Sequence, residues 1–478
     1  MRPCAVALAL AVAVASGCSG GERPVFAPFI EVPPEGSDAY PYTGLDELVL
    51  EIAEAGAADG SRESFAVGEP LELTDIDYGE AQVVHLSGRT NGVEVAYGRT
   101  CALDIAPATV EQAPHLYFSR VVKWGPGADP AGVAGAAALA YSAPDGSGVF
   151  VGDGRVTRFD PVAGAFAEVP IDSIAARAGG ILAPVPDGRA VLIGGTENGD
   201  AVPLVEAIDP NEPPVSASRV EQQPGPPLVE HAAVTLVDGT VLVAGGRLQD
   251  EAGEFAVTRA AWLVHFGGGN TLDEPEQLAT ETVDARSGHT MTRLGDDVGA
   301  AVVVVGGRDA AGAPIATAEL YRPLSTVFEP IATAVLAVPR WNHRAVRLPD
   351  GSVLIIGGRT LAGEAATQVE LYDPVLGVFK DTRAVLGSEH AVEEMAVVPM
   401  PDGRVLLIGG RDARGDAVAT VLIARFDPVN GQVDLSVTDP LERPRAGHSA
   451  TILCDGTILV VGGGAGAERY NTPSAGRR

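Results

Sequence analysis

The chain has 478 residues, of which 63 are acidic and 33 basic, giving a formal net charge of −30 at pH 7. No basic cluster offsets that balance, which excludes nucleic acid and anionic lipid headgroups as expected partners, because phosphate recognition needs concentrated Lys or Arg. A charge density of this kind keeps a folded body soluble.

Met1-Arg2 is a minimal positive region, and the apolar run Ala5–Ala15 is too short to span a bilayer, so the first 18 residues read as a cleaved signal segment. Ala15-Ser16-Gly17-Cys18 resembles a bacterial lipobox. That resemblance implies lipidation of Cys18 and a membrane anchor without a transmembrane helix. Ser19 after the cysteine implies the outer membrane or cell surface of a Gram-negative bacterium. Cys4 would leave with the signal, so Cys101 and Cys454 are the pair left to an oxidising compartment. They either bridge or serve as small buried apolar residues.

Residues 19–42 are rich in Pro, Gly and Ser without a helical period and read as a tether. In residues 43–114 the strand candidates are Glu47–Ile52, Pro70–Leu73, Ala81–Leu86 and Val93–Tyr97, the last two flanking the turn dipeptide Asn91-Gly92. This predicts a small, Ig-like β-sandwich module. On fold-level analogy such modules are spacers or binding units.

From residue 115 to 473 the chain repeats itself. Gly-Gly pairs begin at Gly194, Gly245, Gly306, Gly357, Gly409 and Gly462, with a degenerate copy at Gly152-Asp153-Gly154, and the spacings of 42, 51, 61, 51, 52 and 53 cluster near fifty. Asp-Gly turns precede most of them by a short apolar run such as Val353–Ile356, which is apolar throughout, as a strand buried on both faces should be. Downstream, Phe159 and Phe166, Ile208 and Val215, Tyr321 and Phe328, Tyr372 and Phe379, and Phe426 and Val433 are each seven apart. Each copy therefore predicts four short antiparallel strands.

These features resemble the kelch-repeat family, with Phe or Val here where that family commonly has a second-aromatic Trp. The resemblance implies an all-β fold, a β-propeller of seven blades, or six if Ala136–Pro170 is not a full blade. The last copy has only three strands, and His115–Val122 (HLYFSRVV) is well placed to supply the fourth.

Arg286, His289, Arg340, His343, Arg445 and His448 occupy one repeat position, with Arg177 and His231 as partial matches. In a propeller they would ring one channel mouth, where Arg could bind carboxylates or His a metal. The simpler account is that each satisfies the same backbone groups in its own blade. Trp341 breaks the repeat and is a candidate for stacking on a sugar. Arg247, Arg308, Arg359 and Arg411 directly follow Gly-Gly pairs and are expected to bond within the blade, to the Asp of the Asp-Pro turn.

Kelch-type copper oxidases use a Cys cross-linked to Tyr, and neither Cys101 nor Cys454 sits in such a setting. HExxH and Walker-type loops are absent from the sequence. No cofactor or metal is expected. The favoured reading is a surface or periplasmic lipoprotein whose propeller binds a protein or glycan without chemistry. The alternative is a carbohydrate-active enzyme of mutarotase or lyase type acting through the Arg/His ring.

Overall fold

The computed structural model describes residues 28–57, 60–71, 79–105, 114–127, 139–152, 154–169, 174–210, 220–267, 271–464 and 466–472, and all of their regular structure is β. The expected signal segment and Cys18 lie outside them.

Among the described residues, seven four-stranded antiparallel sheets account for the repeats. In the fifth, Arg344–Arg347, Val353–Ile356, Gln368–Asp373 and Val378–Val385 follow one another from the inside out. Its second strand shows why the run had to be apolar at every position. Val353 and Ile355 enter the core shared with the fourth sheet, whereas Leu354 and Ile356 enter the core shared with the sixth. Successive side chains point to opposite faces of a strand, so a sheet with neighbours on both sides has no solvent face to leave polar.

The same arrangement recurs around the molecule. Sheets one and two, two and three, three and four, four and five, five and six, and six and seven each share an apolar core, and the seventh shares one with the first through Phe150, Phe159, Leu459 and Val461. Seven sheets joined by seven cores form a closed ring, the architecture of a β-propeller, and each sheet is one blade.

The seven-residue spacing has a simple origin. Phe159 faces Phe166, Tyr321 faces Phe328 and Tyr372 faces Phe379 as directly paired residues of the outer hairpin. Their ring centroids lie 5.0, 4.8 and 5.4 Å apart, within contact range for aromatic pairs. Ile208 departs from this pattern, pairing with Val220 because its outer strand starts later; Val215 lies outside the described residues.

Closure of the ring differs from expectation. The fourth strand of blade 7 is Trp124–Pro126, which pairs with Glu468–Tyr470. Most of His115–Val122 is held elsewhere: His115–Tyr117 runs parallel to Phe29–Glu31, and Leu116 and Phe118 are fully buried in the core of the N-terminal module, while Val122 reaches blade 7, donating to the Asn471 carbonyl at 2.9 Å. Trp124, by contrast, packs against Tyr470 in the core between blades 6 and 7, and its indole Nε1 donates to the Asp439 carbonyl at 2.9 Å. Both segments are apolar, and the ring takes the later one.

The stretch read as a tether is described from residue 28, and there it is packed rather than free. Phe29–Glu31 forms a strand, and Ala39 is fully buried. In residues 43–114, Glu47–Glu54, Ser61–Phe65, Gly79–Thr90, Val93–Arg99 and Leu103–Ile105 build one sheet, completed by Ser119–Arg120. The parallel pair of Phe29–Glu31 and His115–Tyr117 contributes Ile30 and Leu116 to the same core. Asn91 and Gly92 both take positive φ, as the tight hairpin turn requires.

A disulfide between Cys101 and Cys454, with Cα atoms 5.0 Å apart, fastens this module to the Asp-Gly turn of blade 7. Around it Asn471 donates to the Ser119 carbonyl at 2.9 Å, and the Arg469 guanidinium lies 4.2 Å from the centre of the Tyr117 ring. The module therefore sits at the Asp-Gly rim of blades 7 and 1.

Candidate functional site

The loop entering each blade carries the repeated arginine, and the structure assigns it to the fold. Arg286, Arg340 and Arg445 are at most 1% exposed. Arg286 pairs with Glu319 at 2.6 Å, Arg340 with Glu370 at 2.7 Å and Arg445 with Glu468 at 2.8 Å, while Arg177 pairs with Glu206. Each also donates to the carbonyl of the first glycine of its own blade's Gly-Gly pair: Gly306 at 2.8 Å, Gly357 at 3.1 Å, Gly462 at 2.9 Å and Gly194 at 3.1 Å. The glutamates accept in turn from amides of the entering loop, as Glu370 does from Ala337 at 2.8 Å. Burial pushes the Glu319 carboxyl up and the Arg286 guanidinium down, and each is kept charged by the other.

The partner glutamates escaped sequence reasoning, although a signal was there. Glu206, Glu319, Glu370 and Glu468 are charges within otherwise apolar third strands, each two residues before Ile208, Tyr321, Tyr372 or Tyr470. A buried-strand carboxylate demands a cation.

The histidines do not line an open mouth either. His289, His343 and His448 are 3–5% exposed, and each imidazole lies over the first glycine of the preceding blade: Gly245, Gly306 and Gly409 respectively. His231 covers Gly194 in the same way, and Met395 takes the place of His over Gly357. The second glycine of each pair meets the backbone of the same position in its own blade, as Gly358 does with His343. The Gly-Gly pair is thus the seat into which the neighbouring blade's imidazole fits. Burial holds His231 and His448 at about 4 and His343 at about 3, and like-charge repulsion from Arg177, Arg445 and Arg340 acts in the same direction, so these rings are neutral.

Trp341 is half-buried, and the Arg308 guanidinium lies 4.2 Å from the centre of its ring. That contact takes one face of the indole, and together with the partial burial it favours packing. Arg308 itself makes two 2.8 Å contacts with the Glu230 carboxylate of blade 3, Arg359 reaches Glu393 of blade 6 at 2.6 Å, and Arg411 meets Glu394 at 2.9 Å. These arginines bridge loops at the Gly-Gly mouth rather than bonding the Asp of the Asp-Pro turn. Asp373 instead accepts from the Val375 and Leu376 amides and from Lys380.

A recess opens at the opposite mouth. The innermost strands of blades 1 to 5 end at Ser142, Pro184, Thr235, Arg293 and Arg347, and together these ends line a cavity of about 630 Å³. Its walls on blades 1 to 3 are largely apolar, with Leu182, Pro186 and Val234 among them. Among its described lining residues Arg293 and Arg347 are the only charged side chains. Arg293 donates to the Thr235 carbonyl at 3.1 Å and contacts Asp296 at 3.2 Å. Arg347 meets both Asp296 oxygens at 2.9 Å, while its buried Nε has no partner among the described residues. These contacts hold the Asp296 carboxyl below the usual range. A second recess of about 350 Å³ lies on the other side of Arg347 and Asp296.

Neither arginine attracted attention in the sequence, because single Arg residues at strand ends carry no periodic signal. They stand where the other blades have Ser142, Pro184, Thr235, Pro399 and Ile452, and departure from the repeat was the available clue.

Comparison with known proteins agrees with this architecture. Residues 283–473, which hold blades 4 to 7 apart from the closing strand, match the family described as the β-propeller of tRNA wybutosine-synthesizing protein 4. No curated protein matches the sequence. Among solved structures, a fungal alcohol oxidase of the AA5 family in complex with copper is 17% identical with a TM-score of 0.53, over 74% of this chain and 78% of that one. YjhT is 14% identical with a TM-score of 0.46, over 63% of this chain and 95% of that one. The chain is a β-propeller protein, and identities this low speak to fold alone. Cys101 and Cys454 are bonded to each other, so neither is available for a cross-link to Tyr. Among the described residues no three His, Cys, Asp or Glu gather in a way that would hold a metal ion.

Proposed function

We propose that this protein is an exported lipoprotein whose propeller serves as a binding scaffold, taking a protein or glycan ligand at the Asp-Gly mouth without catalysing a reaction. The observation that carries the reading is the contrast between the two mouths. At the Gly-Gly end the repeated Arg and His are consumed by the fold. At the Asp-Gly end a cavity of about 630 Å³, a size typical of ligand sites, carries two arginines that break the repeat. Export is supported by the lipobox-like Ala15–Cys18 and by a disulfide of the kind that oxidising compartments preserve.

A glycan and polypeptide binding array with the purified protein tests the binding half. Hits lost in Arg347→Gln are expected, and an array silent for the folded protein overturns the reading. Membrane fractionation tests the anchor, with Cys18→Ala expected to release the protein from the membrane pellet.

A further inference from the structure

We infer that the cavity at the Asp-Gly mouth is a site for a small organic carboxylate, its acid group seated on Arg347 and Arg293 and its apolar body against Leu182, Pro184 and Val234. The inference rests on the reading of this mouth as a binding site, and for this cavity it puts a small acid in place of a protein or glycan.

Three observations carry it. The first is charge. In a chain with 63 acidic and 33 basic residues, this cavity has two guanidiniums and no carboxylate among its described lining residues. Asp296, the one acid that meets both arginines, is 71% exposed and stands beside the cavity between the two recesses. Two positive groups against one solvated carboxylate leave a net positive locus, and a fixed guanidinium fork matches carboxylate geometry.

The second is unspent donor capacity. Guanidinium has five N–H donors. Arg347 spends Nη1 on Asp296, while its Nε is buried and has no partner among the described residues. Nη2 makes no bond among the described residues and, unlike Nε, is not buried, so it is the donor left for a bound carboxylate. Arg340 of the entering loops spends every nitrogen, with Nε on Val338 O, Nη1 on Gly357 O and Gln368 O, and Nη2 on Glu370, although the Nε atoms of Arg177 and Arg286 are buried without a partner among the described residues, as that of Arg347 is.

The third is polarity. The charged side belongs to blades 4 and 5, and the facing wall, from blades 1 to 3, is built of Leu, Pro, Val and Ala side chains with Ser142 and Thr235 at its strand ends. The Tyr141 hydroxyl is already given to the Gly188 carbonyl at 2.9 Å. A wall of this kind offers little to a polyhydroxylated ring and covers an aliphatic or aromatic body.

Isothermal titration of the purified protein with benzoate and hexanoate, set against benzamide and hexanamide, tests the inference. The acids are expected to bind, and the amides at least about tenfold more weakly, since the charge-assisted bonds are lost. Arg347→Gln should weaken benzoate by a similar factor while leaving the melting temperature close to the parent, because Arg347 bonds only an exposed carboxylate. Asp296→Asn, which removes the competing anion, should tighten it. Equal binding of acid and amide, or benzoate binding unchanged in Arg347→Gln, overturns the inference. If neither acid binds while an array ligand still requires Arg347, the carboxylate inference falls and the scaffold reading stands. If nothing binds at either test, both fall.

Discussion

The imidazole of His343 lies directly over Gly306 of the preceding blade. A methyl group added to Gly306 would come 3.0 Å from His343 Cε1 and 2.7 Å from the Arg340 carbonyl, at a φ of +62°. The contact between these two residues is one unit of the inter-blade lock described above.

Replacing Gly306 by Ala should therefore destabilise the protein by roughly 2–5 kcal/mol, combining left-handed backbone strain with overpacking. Gly363 provides the control. Its φ is +73°, but nothing lies within 4 Å, so Gly363→Ala should cost only about 1 kcal/mol. Urea denaturation of the two variants checks the difference, and equal losses would refute the seat.

The neutral histidines predict a pH dependence. His231 and His448 titrate at about 4 and His343 at about 3 in the folded protein, below the 6.5 of a free imidazole. The unfolded chain thus binds protons that the folded one refuses. Stability should be full above pH 6.5 and fall as pH drops from there toward 4, each histidine adding a slope of about 1.4 kcal/mol per pH unit. His448→Asn should make the slope between pH 6 and 4.5 shallower by one proton's worth, measured by denaturation midpoints, whatever it does to absolute stability.

Breaking one buried ion pair should cost more than removing it whole. Arg340→Met leaves the Glu370 carboxylate buried without its guanidinium and should lose roughly 3–5 kcal/mol. Arg340→Met with Glu370→Leu should recover much of that loss. A double variant as unstable as the single one would mean that the Arg340 bonds to Gly357 O and Gln368 O matter more than the pair.

The disulfide should control the attachment of the N-terminal module. Cys101→Ala with Cys454→Ala is expected to lower stability by about 2–4 kcal/mol. Limited proteolysis should then cut between Arg120 and Lys123 first, where the chain passes from module to ring. An unchanged digestion pattern would show that Asn471, Arg469 and the module core hold the contact unaided.

Much of the ring was legible in the sequence because its constraints are local and repeated. Val353–Ile356 must be apolar on both faces, Gly357 and Gly358 admit no side chain, and Tyr372 faces Phe379 across a hairpin; each leaves a mark at a fixed period. What lay beyond reading depends on partners distant in the chain. Arg340 bonds backbone carbonyls of its own blade, but nothing in the sequence ties it to its partner Glu370, thirty residues on. Leu116 and Trp124 are equally apolar, and only the packed module decides which segment is left for blade 7. Arg293 and Arg347 become neighbours of one cavity only when five strand ends converge. Trp341 drew notice by breaking the repeat, yet Arg308 covers its ring, so Trp341→Ala is expected to lower stability rather than merely abolish binding.

Blade 7 joins Trp124–Pro126, from the beginning of the ring, to Glu468–Tyr470, from its end. Any route that delivers the polypeptide amino end first, from a ribosome or through a translocation pore, supplies these two strands at opposite ends of the journey. Six blades can assemble while the seventh still lacks its inner three strands, so the nascent disc stays open with two naked edges until the final stretch emerges. Protection of those edges during delivery is then a requirement the architecture places on the cell that makes it.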